Sequence, residues 1–180
     1  MEIMQGWLSE INRLESPNAD ARPVEEDISL LVIHNISLPP EQFGGPYIAQ
    51  LFANSLDPLV HPYFEQIHQL KVSAHLLIDR HGQLTQFVPF NKRAWHAGES
   101  EFAGRIRCND FSVGIELEGA DHIPYTDSQY SALAAVTLLL LDYYPLITRD
   151  RIVGHSDIAP SRKTDPGAAF DWQRFRQMLV

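Results

Sequence analysis

The run from Ile28 to Ser37 narrows the folding possibilities most. Ile28, Leu30, Leu31, Val32, Ile33 and Ile36 leave few polar positions on either side of an extended chain. Side chains alternate between the two faces of a strand, so a run apolar on both faces is buried on both. Such a strand needs further elements packed above and below it. His34 lies inside the run, where an imidazole requires a partner or a task.

The remaining patterns supply those elements. His75 to Asp79 and Leu84 to Pro89 read as short strands joined by a turn at Arg80-His81-Gly82, and Phe111 to Leu117 as a further strand. Thr126 followed by Gln129 forms a capping box for a helix that carries Tyr130, Leu133, Leu140, Leu141 and Tyr144 on one side and stops at Pro145. Ile152-Val153 leads as a strand into Gly154-His155, and Asp171 to Leu179 reads as a final helix with Trp172, Phe175 and Leu179 facing inwards. Pro39 to Pro62, with five prolines and Gly44-Gly45, predicts a long loop holding a short helix near Tyr47 to Asn54 and overhanging a site. A helix over Tyr63 to Leu70 follows. Asn12 to Asp27, polar and with two prolines, reads as a surface excursion after a short amphipathic start at Trp7 and Leu8. Strands and helices are mixed rather than strictly alternating. The expected class is therefore α/β of the mixed α+β kind: one domain over 1–180, a central mixed β-sheet flanked by α-helices, a core from about 28 onwards and a peripheral 1–27.

A net charge of −9 repels phosphate backbones and argues against nucleic acid. The longest apolar stretch, Ala132 to Leu141, is too short to cross a bilayer. Met1 to Glu10 lacks a basic leader and an apolar core, and Cys108 is the only cysteine. A cytoplasmic chain, expected to be a monomer, with neither a nucleic-acid nor a membrane partner is the plain reading.

Among eight histidines, His61, His68, His81 and His122 have ordinary loop, turn or surface explanations. His34 ends a buried strand, and His155 opens a string rich in ligating and charged groups that runs to Gly167. Lys163 and Asp165 share a face if that string is extended. Two imidazoles and one carboxylate leave a tetrahedral zinc one open position, the arrangement of a catalytic site. Glu116, in the apolar strand, is either paired structurally or a general base beside such a metal.

Four strings occur in order: Ser73-Ala74-His75-Leu76-Leu77-Ile78-Asp79, Ala94-Trp95-His96-Ala97-Gly98, Val113-Gly114-Ile115-Glu116, and His155-Ser156-Asp157-Ile158-Ala159-Pro160 through Arg162-Lys163-Thr164-Asp165-Pro166-Gly167. Together, over Leu31 to Gly167, they resemble the N-acetylmuramoyl-L-alanine amidase type 2 superfamily, and within it the cytosolic branch of cell-wall recycling. The resemblance implies one Zn2+ per chain held by His34, His155 and Asp165. Many relatives carry cysteine at the last position. It also implies Glu116 as base and Lys163 as stabiliser of the oxyanion. The reaction implied is hydrolysis of the amide between 1,6-anhydro-N-acetylmuramic acid and L-alanine of a muropeptide, with a consequent influence on β-lactamase expression through substrate level. Asn35, Tyr63, Trp95 and Arg107 are the expected substrate contacts. His75 is read as a core residue or one that orients a ligand. The competing readings are a lytic amidase of intact peptidoglycan and a peptidoglycan-binding module without catalysis.

Overall fold

In the computed structural model, which describes residues 1–180, the apolar run becomes the second strand from one edge of a six-stranded sheet. The strands are β1 (Asn12–Arg13), β2 (Leu30–Ile36), β3 (Leu76–Ile78), β4 (Leu84–Gln86), β5 (Ser112–Glu118) and β6 (Ile152–Gly154). Their order is β6-β2-β5-β3-β4-β1. All neighbours run parallel except the β3–β4 hairpin, so the sheet is mixed. The helices are α1 (Tyr47–Phe52), α2 (Pro62–Ile67), α3 (Asp127–Tyr143), α4 (His155–Ile158) and α5 (Trp172–Gln177).

The two faces of the sheet take different burdens. Leu31, Ile33, Val113, Ile115 and Leu117 pack with Tyr130, Leu133, Val136 and Leu140 of α3 and Phe175 of α5 in the main core. Each such side chain, fully buried, contributes roughly 1.5–3 kcal/mol. On the opposite face Leu30 and Val32 meet Ala97, Cys108, Phe111 and Ile158. A third cluster, with Leu51, Phe52, Phe64 and Phe87, lies under α1 and α2. α3 carries the expected capping box: Thr126 Oγ1 accepts from the Gln129 amide at 3.1 Å, and Gln129 Oε1 accepts from the Thr126 amide at 3.1 Å. Thr126→Ala should lower stability by ~1 kcal/mol, read as a shift of the urea midpoint with an unchanged slope.

The N-terminal stretch differs from its reading. The start is a tight hairpin, Ile3–Met4 against Trp7–Leu8. Residues 12–27 run largely over the surface, as expected, but they are paired into the fold rather than looping free of it. Asn12–Arg13 forms the edge strand of the sheet, Ala19–Ala21 pairs with Lys92–Ala94, and Asn18 and Arg22 are buried. The Arg22 guanidinium donates to the carbonyls of Phe90, Asn109, Asp110 and Ser112, and burial lowers its pKa to about 10. A buried arginine satisfied by carbonyls has no sequence signal, because arginine patterns as a surface residue. α2 begins one residue earlier than expected, with His61 Nδ1 as its cap, accepting from the Tyr63 amide.

Candidate active site

The site forms on the sheet face opposite α3, at the carboxyl ends of β2, β5 and β6. In the parallel pairing Glu116 of β5 lies directly beside His34 of β2, so both side chains leave the same face. β6 ends at Gly154, and His155 opens α4 immediately after it. The turn that follows returns Asp165, whose peptide bond to Pro166 is cis, and the Asp165 carbonyl accepts from the Ser156 amide at 3.0 Å. The sequence therefore converges three distant residues. His34 Nδ1 lies 2.9 Å from His155 Nδ1, and Asp165 Oδ2 is 3.1 Å from each. Lys163 and Asp165 line the same cleft although their segment is a turn rather than extended.

His34 Nδ1, His155 Nδ1 and Asp165 Oδ2 each offer a lone pair when unprotonated, and together they form a set able to hold a cation. Their separations approach the ~3.3 Å that a tetrahedral ion with bonds of about 2.0–2.1 Å imposes on its ligands. The remaining ring nitrogens are engaged elsewhere: His155 Nε2 donates to the Ala97 carbonyl at 3.0 Å, and His34 Nε2 faces His96 Nδ1 at 2.9 Å. Burial lowers the His34 pKa to about 4 against the opposing pull of Asp165, so the imidazole is neutral and able to ligate. Burial acts to raise the Asp165 carboxyl. The two imidazoles facing it overcome that and hold it below the ordinary carboxylate range. The donor set fits a divalent metal.

Glu116 is buried, and its Oε2 has no hydrogen-bond partner in the protein. Burial, then the charge of Asp165, pushes its pKa well above that of an ordinary glutamate, while Lys163 acts in the other direction. This is a carboxylate without a structural partner beside the His34-His155-Asp165 cluster, and it has the properties of a base.

These groups share a cleft of about 360 Å³ with Asn35, Tyr63 and Trp95, roofed by Leu38, Pro40, Leu51 and Phe52 from the proline-rich segment. His34 lies beneath its floor, almost fully buried. Both amide hydrogens of Asn35 are engaged, by Asp121 at 2.8 Å and the Pro166 carbonyl at 3.1 Å, so it braces the segment bearing Asp165. Trp95 Nε1 donates to Asp20 at 3.3 Å. Arg107 is not in the cleft. It lies in a separate depression that also reaches Trp95, 68% exposed and 3.5 Å from Asp110. His75 touches no ligand residue. Its Nδ1 accepts from the Gly114 amide, and burial followed by the Arg22 charge lowers its pKa to about 3. His96 and Asn109 were not singled out by sequence reasoning. The one signal was the place of His96 in Trp95-His96-Ala97-Gly98.

The family description N-acetylmuramoyl-L-alanine amidase matches residues 24–168. The chain is 59% identical over 179 residues to the 1,6-anhydro-N-acetylmuramyl-L-alanine amidase AmpD of Escherichia coli K12, covering 99% of this chain and 97% of that one. A crystal structure of a selenomethionine AmpD derivative superposes with a TM-score of 0.97 at 58% identity, covering 100% of each chain. The E. coli amidase AmiD, solved with anhydro-N-acetylmuramic acid-L-Ala-D-gamma-Glu-L-Lys, is 29% identical with a TM-score of 0.63, covering 89% of this chain and 61% of that one. Relatives this similar over nearly their whole length, with the matched profile, place the chain in the N-acetylmuramoyl-L-alanine amidase family.

Proposed function

We propose that the protein is a zinc-dependent amidase that hydrolyses the amide between 1,6-anhydro-N-acetylmuramic acid and L-alanine of soluble muropeptides. The carrying observation is the contact of His34 Nδ1, His155 Nδ1 and Asp165 Oδ2 at 2.9–3.1 Å beside an unpartnered Glu116. The names of AmpD and the ligand in the AmiD structure support the choice of bond and sugar.

His34, His155 and Asp165 hold the metal. A bound zinc supplies Lewis acidity, polarising the amide carbonyl and acidifying water. Glu116 takes a proton from the attacking water and passes it to the departing L-alanine nitrogen. The Lys163 ammonium faces the oxygen on which negative charge develops. Trp95 and Tyr63 offer aromatic surface to the sugar and peptide, and Arg107 offers its guanidinium to a peptide carboxylate from the rim. No helix is long and apolar enough to cross a membrane. Action as a monomer in the cytoplasm on recycled wall fragments fits that and the soluble substrate, and an effect on β-lactamase expression would follow from substrate level alone.

Mass spectrometry of products from a purified anhydro-muropeptide should show free peptide and anhydro-N-acetylmuramic acid. Chelation should abolish the reaction and zinc should restore it. Faster release from insoluble sacculi than from the soluble fragment would favour a lytic enzyme. Stoichiometric zinc without hydrolysis would leave a binding module.

A further inference from the structure

Both histidine ligands are gripped, on the side away from the metal position, by one dipeptide. His34 Nε2 meets the His96 ring at Nδ1, 2.9 Å away, and His155 Nε2 meets the carbonyl of the next residue, Ala97, at 3.0 Å. The dipeptide is itself clamped: Asn109 Oδ1 accepts from the His96 amide at 3.1 Å and from the Ala97 amide at 2.8 Å. The far side of the His96 ring ends on Ser112, Nε2 to Oγ at 3.1 Å. Gly114 makes room for the ring, since a Cβ there would stand 2.4 Å from it.

The direction of the His34–His96–Ser112 chain decides whether the site is open to a metal. If the Ser112 hydroxyl accepts from His96 Nε2–H, His96 Nδ1 carries a lone pair and accepts from His34 Nε2–H. His34 Nδ1 is then a free lone pair pointing at His155 and Asp165. The reverse direction puts the proton on His34 Nδ1, in the middle of the ligand cluster. A ligand imidazole usually gives its second N–H to a carboxylate, carbonyl or water. The partner here is a neutral imidazole, which can serve only in one tautomer.

Resting on the zinc reading above, we propose that His96-Ala97, clamped by Asn109, is a bracket that sets both histidine ligands with Nδ1 toward the metal. His96 and Asn109 are thus positioning residues for the amidase reaction.

The test is zinc affinity of the purified full chain, measured by competition with a chromophoric chelator. Asparagine places its amide oxygen near the Nδ1 position of the ring it replaces, whereas glutamine reaches the Nε2 position. His96→Asn should stay within about threefold of wild type, and His96→Gln should bind zinc roughly 10–100-fold more weakly. Asn109→Ala, which removes the double acceptor without touching a ligand, should weaken zinc by a comparable factor. In the zinc-loaded protein the His34 Nε2–H should appear as a slowly exchanging, downfield proton coupled across the hydrogen bond to His96 Nδ1, and that signal should vanish in His96→Gln. Equal affinities for the Asn and Gln variants, or a His34 proton with no coupling to His96, would overturn the bracket while leaving zinc in place. A wild type that binds no zinc would instead sink the functional reading beneath it. Should a His96 variant fail to fold, the proton signal in wild type and the Asn109→Ala affinity still decide.

Discussion

Glu116→Gln should lower kcat/KM roughly 10²–10⁴-fold, the range for loss of a positioned general base, with zinc content unchanged. The same variant should be more stable than wild type once the metal is removed. Glu116 is buried beside Asp165 with an oxygen that no protein group satisfies, and burial raises its pKa well above the unfolded value. In the native state it therefore holds its proton to higher pH than in the unfolded state. Between the two pKa values the native state binds more protons, so stability falls as pH rises from the unfolded pKa through the folded one. Glutamine carries no ionisable proton and removes that fall. Thermal melts of chelated protein from pH 4 to 8 should show wild type losing stability relative to Glu116→Gln as pH rises. That relative loss lies beneath a gain that both proteins share, as the buried neutral His34 and His75 cease to favour the protonated unfolded chain. Parallel trends would show that Glu116 ionises without a cost and is not poised as a base. For catalysis the sign is opposite: the base works only when ionised, so the acid limb of kcat/KM should rise with pH through the ionisation of Glu116 in the zinc-loaded enzyme.

Asp165→Ala should cut turnover by orders of magnitude and weaken zinc beyond the roughly 10–100-fold expected for a supporting residue, because it deletes a donor atom. The fold should persist, since Asp165 lies in a turn on the cleft wall with its side chain 14% exposed and takes no part in the main core. Asp165→Cys should retain zinc, a thiolate being a competent ligand in the same place. Metal analysis with far-UV dichroism on both variants separates ligand loss from unfolding. An alanine variant with wild-type zinc occupancy would remove Asp165 from the ligand set.

What the sequence disclosed follows from how local each signal is. The β2 run, the β3–β4 hairpin and the α3 cap are set by neighbours within a few residues, and each appears close to its expected bounds. Convergence of His34, His155 and Asp165 spans 131 positions and was legible only through the ordered strings of a known family. Arg22 was invisible because its partners are main-chain carbonyls of Phe90, Asn109, Asp110 and Ser112, which no side-chain pattern encodes. The bracket at His96-Ala97 escaped for a similar reason. Half of it is a carbonyl, and the other half depends on the missing side chain of Gly114. Asn35, expected as a substrate contact, lines the cleft and also braces Pro166, a role the sequence hid because Asp121 is brought beside it only in three dimensions.

Glu116 and His34 are rungs of one hydrogen-bonded ladder, so the gap between the proposed proton acceptor and the proposed metal anchor is inherited from the ~4.7–4.9 Å spacing of adjacent strands. Loops around the cleft can lengthen, shorten or change chemistry, and substrate preference with them, without altering that gap. A slip of one position in either strand would do the opposite: it would turn one of the two groups into the greasy layer beneath α3 and end the reaction at a stroke.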